Sequence, residues 1–475
     1  MTDNPIKFGT DGWRGIIAED FTFDNVRICA QAMADYLKRA DLSKRGLVIG
    51  YDTRFASEDF AAATAEVIAG NDIKAYLCSK PTPTPIISYG VIHKHAGGAI
   101  IITASHNPGK WNGFKIKSEH GSSAPTEVID EVEKRITDTF TTGKINRTPL
   151  QEALSQKLVE YLDLTPVYSQ HISELINLDE LRCGRLKIVV DSMYGAGAGY
   201  FKELLCGGSS EITEINGERN PLFPEIQPEP IAANLNKLSL TIRKLGANVG
   251  LATDGDADRI GIIDENGTFL TTQQVFALLC LYLLEIRNKR GMIVKTTTTT
   301  SMLNRLGDLF EAPVHETAVG FKHIAPIMIR EDALIGGEES GGYGFRGHVP
   351  ERDGILAGLY FLDLMQKTSK SPSLLIEYLH SKVGPHFFKR ADVKFPESER
   401  QEITRRIKNN YPQSINGVKV TETDTKDGFR FILEDNSWLL IRFSGTEPLL
   451  RIYAESNTPE GVEKLIEQGK IIAGV

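Results

Sequence analysis

Residues 103–115, Thr-Ala-Ser-His-Asn-Pro-Gly-Lys-Trp-Asn-Gly-Phe-Lys, combine side chains that suit phosphoryl transfer. The Ser105 hydroxyl is a poor nucleophile alone, but a phosphorylated serine carries about −1.5 to −2 charges and becomes a phosphoryl donor. His106 and Lys115 supply cationic or proton-transferring neighbours. The same composition also suits a loop that only turns the chain, so the other motifs have to decide between the two interpretations.

Three aspartates, Asp254, Asp256 and Asp258, alternate over five residues. Carboxylates this close repel one another unless a cation neutralises them, and ligation by oxygen alone favours Mg²⁺. A solvated acidic turn and a calcium-binding EF-hand are the alternatives. Glu265 falls at the twelfth position of such a calcium loop, but Arg259 occupies the sixth, where the loop needs glycine. The apolar flanks are also strand-like rather than helical.

A glycine-rich stretch, residues 336–342, contains Glu338 and Ser340 directly after an apolar run. A carboxylate and a hydroxyl two residues apart can face one ligand, and paired hydrogen bonds suit neighbouring sugar hydroxyls. A glycine-rich turn with a charged face is the alternative interpretation.

Near the carboxyl end, Arg442, Ser444, Gly445 and Thr446 combine a guanidinium, two hydroxyls and a glycine. Arginine binds phosphate in bidentate fashion, and turn amides can form an anion-binding nest. Arg451, at the end of the next strand-like run, completes such a pocket. A surface hairpin with incidental arginines is the alternative.

Strand-like and helix-like patterns alternate through most of the chain and place these loops. Strand-like runs precede the serine, aspartate and glycine-rich loops, and Ser57 and Gly70 suit the cap and the end of a helix between them. This alternation predicts three tandem doubly wound α/β domains with mainly parallel sheets. The serine then lies at the carboxyl end of a strand. The strand-like runs are 47–51, 74–78, 99–104, 186–191, 249–252, 292–295 and 333–336, and the helix-like ones 57–70, 199–205, 232–245, 273–287 and 355–366.

A polar, proline-containing linker at residues 368–373 marks a change of pattern. Four strand-like runs and a final helix beyond it predict a smaller α+β domain. The predicted domains are 1–150 with the serine loop, 151–265 with the metal loop, 266–370 with the sugar loop and 371–475 with the phosphate loop.

The chain has 475 residues, 41% hydrophobic and 24% charged, and a net charge of −8. This length exceeds a single hydrophobic core. The acidic balance argues against nucleic acid or membrane partners, so an anionic substrate has to be captured by local basic residues. The apolar run 275–286 is too short to span a bilayer, the first residues lack signal-peptide features, and five scattered cysteines suit reduced thiols. A cytoplasmic location is expected.

Five blocks together resemble the α-D-phosphohexomutases, the family of phosphoglucomutase, phosphomannomutase and phosphoglucosamine mutase. They follow the family's order from Phe8 to Arg451 and cover nearly the whole chain. The blocks are residues 8–15, Phe-Gly-Thr-Asp-Gly-Trp-Arg-Gly; the serine loop; residues 254–259, Asp-Gly-Asp-Ala-Asp-Arg; residues 337–342, Gly-Glu-Glu-Ser-Gly-Gly; and residues 442–448, Arg-Phe-Ser-Gly-Thr-Glu-Pro.

The resemblance implies four domains around a central cleft and reversible phosphoryl transfer without a nucleoside triphosphate. Phosphorylated Ser105 would donate to a hexose phosphate, and the resulting sugar bisphosphate would turn around and rephosphorylate it. Mg²⁺ would be bound by the three aspartates and the phosphate on Ser105, and a sugar bisphosphate would serve as activator. Lys115 is the candidate general base. A mobile fourth domain would close over the intermediate.

The resemblance also assigns residues around the substrate. Arg14, His106 and Arg259 would surround the transferred phosphate. The basic residue of the substrate-specificity loop would be Lys322. The other contacts implied are Glu338 and Ser340 to sugar hydroxyls, and Arg442, Ser444, Gly445, Thr446 and Arg451 to the phosphate that is not transferred.

Glucose phosphates are the substrates expected first, because the Glu-Glu-Ser sugar loop and Gly-Phe-Lys at 320–322 are more similar to phosphoglucomutases. Phosphomannomutase and phosphoglucosamine mutase activities are the alternatives, although Gly342 stands where those enzymes usually have histidine, and His348 is six residues further on. Outside the family, a metal-dependent sugar phosphatase and a calcium-binding structural module remain. Partners are expected to be small sugar phosphates, and nothing in the sequence indicates an oligomeric state.

Overall fold

A computed structural model describes residues 6–224, 226–444 and 449–475, and four β-sheets follow one another along these residues. The first sheet has the order β1-β5-β4-β2-β3-β6, in which β4, β2, β3 and β6 are parallel and the pairs β4–β5 and β5–β1 are antiparallel. Its elements are β1 (Trp13–Ile16), α1 (Phe23–Arg39), β2 (Leu47–Tyr51), α2 (Ser57–Gly70), β3 (Ala75–Cys78), α3 (Thr84–Lys94), β4 (Ala99–Ile102), β5 (Trp111–Lys117), α4 (Thr126–Thr142), α5 (Leu150–Ser155) and β6 (Val159–Leu162).

The second sheet has the order β11-β10-β9-β7-β8, in which β9, β7 and β8 are parallel. Strands β10 and β11 extend it as an antiparallel hairpin. The elements are α6 (Thr165–Leu175), α7 (Leu178–Arg182), β7 (Lys187–Asp191), α8 (Tyr200–Leu205), β8 (Glu211–Ile215), α9 (Asn236–Leu245), β9 (Val249–Thr253), β10 (Ile260–Ile263) and β11 (Phe269–Leu270).

The third sheet has the order β13-β12-β14-β15, and only its β15 edge is antiparallel. Helix α10 starts at a capping box formed by Thr271 and Gln274 and continues into a π-helical turn, Tyr282–Ile286. The elements are α10 (Thr272–Leu281), β12 (Ile293–Thr296), α11 (Met302–Phe310), β13 (Val314–Thr317), α12 (Phe321–Glu331), β14 (Ile335–Gly337), β15 (Tyr343–Phe345), α13 (Gly354–Thr368) and α14 (Pro372–Val383).

The fourth sheet is antiparallel throughout, in the order β16-β21-β20-β19-β18-β17, and α15 and α16 pack with it. Its elements are β16 (Phe387–Lys394), α15 (Arg400–Asn409), β17 (Ser414–Ile415), β18 (Val418–Asp424), β19 (Phe429–Leu433), β20 (Trp438–Phe443), β21 (Leu449–Ser456) and α16 (Pro459–Ala473). Short 3₁₀ turns lie at Ser43–Arg45, Ala232–Asn234 and Glu397–Glu399.

The predicted fold class is confirmed, although the first three sheets are mixed, because hairpin strands add antiparallel edges to parallel centres. The domain boundaries remain a prediction. Strand β6 lies beyond the predicted boundary at residue 150, yet it pairs with β3 in the first sheet. Helix α14 lies beyond the boundary at residue 370, yet Leu375 and Leu379 join the core of the preceding domains.

Two main hydrophobic cores divide the chain. One runs continuously through the first three sheets, from Ile6 to Val383. The other belongs to the fourth sheet alone and contains residues from Phe395 to Ala473. Among the helices of the described residues, none is long and apolar enough to cross a membrane.

Candidate active site

The serine loop begins where β4 ends. Ser105 lies in the left-handed region with φ 51°, which L-residues adopt rarely, and its N–H donates to the Thr103 hydroxyl at 2.9 Å. The side chain is 1% exposed. Its hydroxyl donates to Asp254 Oδ2 at 2.7 Å and lies 3.4 Å from His106 Nδ1. The backbone therefore aims the serine hydroxyl directly at the acidic loop.

A buried arginine that the sequence did not bring to notice, Arg54, holds this loop in place. Its guanidinium forms an ion pair with Asp52 at 3.0 Å, and Asp52 also accepts from the Thr103 hydroxyl at 2.6 Å. The same guanidinium donates to four backbone carbonyls of the loop region, those of Ser105 and Asn107 at 2.6 Å, Pro108 at 2.9 Å and Trp111 at 3.0 Å. The sequence contains one signal that could have indicated this pair. Asp52 directly follows β2, and β2 is the neighbour of β4, the strand that precedes the serine loop.

The three aspartates form a buried cluster after β9, with one carboxylate oxygen of each within 4.8 Å of the others. Asp254 Oδ1 accepts from the N–H groups of Asp258 and Arg259 at 3.0 and 3.2 Å. By contrast, Asp256 Oδ1 and Asp258 Oδ1 are buried and have no hydrogen-bond partner among the described residues. Buried anionic oxygens without partners are costly, so this donor set fits a hard divalent cation.

Electrostatics within the cluster distinguish its members. Burial raises the pKa of Asp254 well above its usual range, and repulsion from Asp256 and Asp258 adds to the rise. Burial also acts to raise the pKa of Asp256, but Lys115 and the Thr84 hydroxyl outweigh it and hold that pKa low. The three carboxylates therefore still repel one another, and a bound cation would reduce that repulsion.

The geometry contradicts the EF-hand alternative. Strands β9 and β10 flank the acidic loop and pair with each other, whereas a calcium loop of this kind lies between two helices. Glu265 accepts hydrogen bonds from the hydroxyls of Ser371 and Ser373 instead of reaching the aspartates.

Lys115 lies on strand β5, not on the serine loop, and its side chain is 1% exposed. Its ammonium forms ion pairs with Asp256 at 2.7 Å, Asp11 at 2.8 Å and Asp258 at 3.2 Å. Burial alone would lower the pKa of Lys115, but these three carboxylates outweigh it and raise that pKa above its usual value. Lys115 is thus a firmly held cation beside the acidic cluster.

The other predicted neighbours of the transferred phosphate surround the serine loop. Arg14, on β1, donates to Asn107 Oδ1 at 2.5 Å. Arg259 forms an ion pair with Glu229 at 3.2 Å. Burial lowers the pKa of His106 well below its usual range, and Arg259 and Arg14 lower it further. His106 is therefore a neutral imidazole here, available for hydrogen bonding rather than as a charge.

The glycine-rich sugar loop joins β14 to β15 and separates its two glutamates. Glu339 accepts from the hydroxyls of Thr298 at 2.6 Å and Thr296 at 3.3 Å. Burial raises the pKa of Glu338 to about 7. The Ser340 hydroxyl oxygen is buried and has no hydrogen-bond partner within the described part of the chain. Glu338 and Ser340 are thus the two members of the loop with capacity for a ligand.

Two residues that spacing alone did not indicate, Asp11 and Arg352, connect these loops. Asp11 lies in the Gly-Thr-Asp-Gly block and forms ion pairs with both Lys115 and Arg352. Asp11 and Arg352 are 341 positions apart in the sequence, so only the fold reveals the contact.

On the fourth domain, Arg442 and Arg451 stand opposite each other on β20 and β21. Arg442 forms an ion pair with Asp427 at 2.8 Å. The second carboxylate oxygen of Asp427 accepts from the N–H of Val319 at 2.8 Å, three residues before Lys322 at the start of α12. Ser444 donates its N–H to Leu449. The predicted phosphate contacts Gly445 and Thr446 lie outside the described residues.

A chain of α/β domains that directs a serine hydroxyl at three buried aspartates, with cations around it, belongs to the class of phosphoryl-transfer enzymes. Family profiles named phosphoglucomutase/phosphomannomutase match four parts of it: alpha/beta/alpha domains I at 5–142, II at 166–267 and III at 271–383, and the C-terminal domain at 393–469. The chain belongs to this phosphohexomutase family, whose members are isomerases.

Individual relatives agree with this assignment. The phosphoglucomutase/phosphomannomutase of Thermococcus kodakarensis is 31% identical, over 97% of this chain and 97% of its own. A candidate phosphoglucosamine mutase of Methanosphaera stadtmanae is 30% identical over 98% and 97%. The crystal structure of a candidate phosphomannomutase from Thermus thermophilus is similar with a TM-score of 0.86 and 33% identity, over 99% of both chains.

Proposed function

We propose that this enzyme interconverts hexose 1-phosphate and hexose 6-phosphate through a phosphoserine at Ser105 and a hexose 1,6-bisphosphate intermediate. The observation that carries the proposal is the 2.7 Å contact between the Ser105 hydroxyl and Asp254 in the acidic cluster. In the first half-reaction the Ser105 O–P bond breaks as a P–O bond forms to a sugar hydroxyl, and the proton of that hydroxyl passes through the base to the serine oxygen. The reverse step on the other phosphate restores phosphoserine.

Asp254, Asp256, Asp258 and the phosphate on Ser105 would hold Mg²⁺. When bound, this ion would stabilise negative charge on the transferring group. Arg14 and Arg259 supply further positive charge, and His106 supplies a neutral hydrogen-bonding ring. A sugar bisphosphate would prime Ser105 as activator.

Lys115 is our candidate for the general base. Since three carboxylates surround its ammonium, it has to lose part of that pairing before it can accept a proton. Lys322 is the alternative, because it lies at the start of α12 beside the loop that the fourth domain contacts.

Glucose phosphates are the substrates we propose first, on the Glu-Glu-Ser sugar loop. Glucosamine and mannose phosphates fit at least as well, because the Methanosphaera stadtmanae and Thermus thermophilus proteins carry those names. Glu338 and Ser340 would bind hydroxyls that these sugars can share.

The test is a coupled assay on the 1-phosphates of glucose, mannose, glucosamine and ribose, each with the corresponding sugar bisphosphate. We expect turnover with at least one hexose phosphate and the highest kcat/KM for glucose. A higher kcat/KM for glucosamine 1-phosphate would transfer the assignment to phosphoglucosamine mutase. Steady release of inorganic phosphate without isomerisation would support a phosphatase and overturn the mutase proposal.

Replacing Arg442 with alanine should separate phosphate anchoring from chemistry. Loss of a charge-assisted contact costs about 1.5–3 kcal/mol, so the apparent KM should rise by about one to two decades. The bisphosphate intermediate should also escape more often, which its accumulation in the medium would reveal. Arg405→Ala is the control, because Arg405 lies on the exposed face of α15, where it forms an ion pair with Glu402. Wild-type KM and no leakage in Arg442→Ala would show that the fourth domain does not anchor the phosphate.

A further inference from the structure

Arg352 lies at the centre of the contacts between three loops and is 4% exposed. One amino group, Nη2, contacts Asp11 at 2.7 Å and Asp258 at 2.9 Å. The other, Nη1, contacts Glu338 at 3.4 Å. A single guanidinium thus joins the amino-terminal loop, the metal loop and the sugar loop.

The sugar loop leaves space for this arginine at Gly342. A Cβ atom at position 342 would lie 2.4 Å from Arg352 Cδ and 2.8 Å from its Cγ, distances at which one of the two groups has to move. Any side chain at 342 would therefore displace the arginine. Gly342 replaces a histidine that would be a candidate for proton transfer. Because glycine has no side chain, it also leaves space for the charged side chain of Arg352.

Among the described residues, Arg352 is the one cation within ion-pair distance of the buried Glu338 carboxylate. The charged groups that act on Glu338 are Arg352 and Arg259, which favour the carboxylate, and Glu339 and Asp11, which oppose it. Burial is the largest influence and raises the pKa of Glu338, and Arg352 is the largest charge that opposes this rise, so the loss of Arg352 would raise that pKa further and favour the protonated carboxyl. A protonated carboxyl loses acceptor capacity for sugar hydroxyls.

Arg352 also fixes how Asp258 presents its carboxylate. Both Arg352 and Lys115 bind its Oδ2 atom, which leaves Oδ1 buried and without a hydrogen-bond partner. The same arginine therefore orients a carboxylate in the metal loop and a carboxylate in the sugar loop.

We propose that Arg352 is the positioning residue that links the metal loop to the sugar loop, and that Gly342 is required for it to do so. This inference rests on the proposed hexose phosphate mutase activity. Arg352 acts through Glu338 and Asp258 rather than on the reacting atoms.

Three variants test the proposal: Arg352→Met removes the charge and keeps the stem, Arg352→Lys keeps a charge without the fork, and Gly342→Ala displaces the arginine. We expect Arg352→Met and Gly342→Ala to raise the KM for hexose phosphate at least about tenfold, with a smaller fall in kcat. In Arg352→Met the acid limb of the pH profile of kcat/KM should move to higher pH, because the loss of the cation raises the pKa of Glu338. In Arg352→Lys the acid limb should lie at the wild-type pH, because the charge is kept, but the KM should stay above the wild-type value.

Arg346→Met, which removes an arginine from the same domain at its contact with Asp332, is the matched control. An unchanged KM and pH limb in Arg352→Met, or a fall in kcat alone, would overturn the proposal. If Arg352→Met does not fold, as judged by its thermal melt, an unchanged KM in Gly342→Ala overturns it. Failure of wild-type protein to gain a phosphate from hexose 1,6-bisphosphate would instead reject the proposed function.

Discussion

Replacement of Ser105 with alanine is expected to lower kcat by about 10⁴-fold or more, because the proposed phosphoserine mechanism then loses the oxygen that carries the phosphoryl group. The hydroxyl is buried, 1% exposed, and directed at Asp254. Substrate binding should persist, because the sugar and phosphate loops are unchanged. Intact-protein mass spectrometry should find one phosphate on the wild-type chain, removed by excess hexose phosphate, and none on the variant.

Ser88→Ala is the matched control for this experiment. Ser88 is buried in the same domain, and its hydroxyl has no hydrogen-bond partner, so its loss should leave kcat and the phosphate content unchanged. Near-normal turnover in Ser105→Ala would reject the phosphoserine mechanism.

Asp256→Asn should be the next most damaging change. It would remove one of the proposed anionic Mg²⁺ ligands and also one of the three carboxylates around Lys115. Loss of metal-dependent charge stabilisation is worth several kcal/mol, so we expect turnover to fall by at least about 100-fold. Titration of Mg²⁺ against activity should show that higher metal concentrations restore only part of the rate.

Asp191→Asn tests whether any buried acid in this sheet has the same effect. Asp191 ends β7, the neighbour of β9, and its carboxylate accepts from Met193 and Asn216. Its replacement should leave the metal dependence unchanged. Full activity of Asp256→Asn in chelator-treated protein would show that the acidic loop is structural.

The sequence predicted most elements because their signals are local. The helix predicted at 57–70 and the strand that begins at residue 99 are present. The segment that contains Lys115 is different. Asn112-Gly113 is a turn signal, but the segment forms strand β5, which pairs with β1 on one side and β4 on the other. Long-range pairing overrode the local preference.

Other side chains form hydrogen bonds or ion pairs with residues that no local sequence pattern indicates. Ser57 was predicted to cap its helix, but the cap position is Ala56. The Ser57 hydroxyl instead donates to Asp52 at 3.0 Å and accepts from Asn112 at 2.9 Å, which supports the serine loop. Arg352 likewise has no motif of its own, because its importance comes from three loops that the fold brings together. The catalytic roles of the motif residues stay predictions until the variants are measured.

The separate core of the fourth domain has a consequence for how the protein responds to damage. The contacts from this domain to the third include Arg430 with Glu316 and Glu455 with the N–H of Ser301, and these contacts are polar, whereas the hydrophobic cores on the two sides are separate. We therefore expect the fourth domain to unfold separately from the first three. A substitution such as one at Ile452, inside the smaller core, should melt that domain while the serine and its aspartates stay assembled. On the proposed mechanism, such a protein would still exchange phosphate with Ser105 but would no longer retain the bisphosphate intermediate.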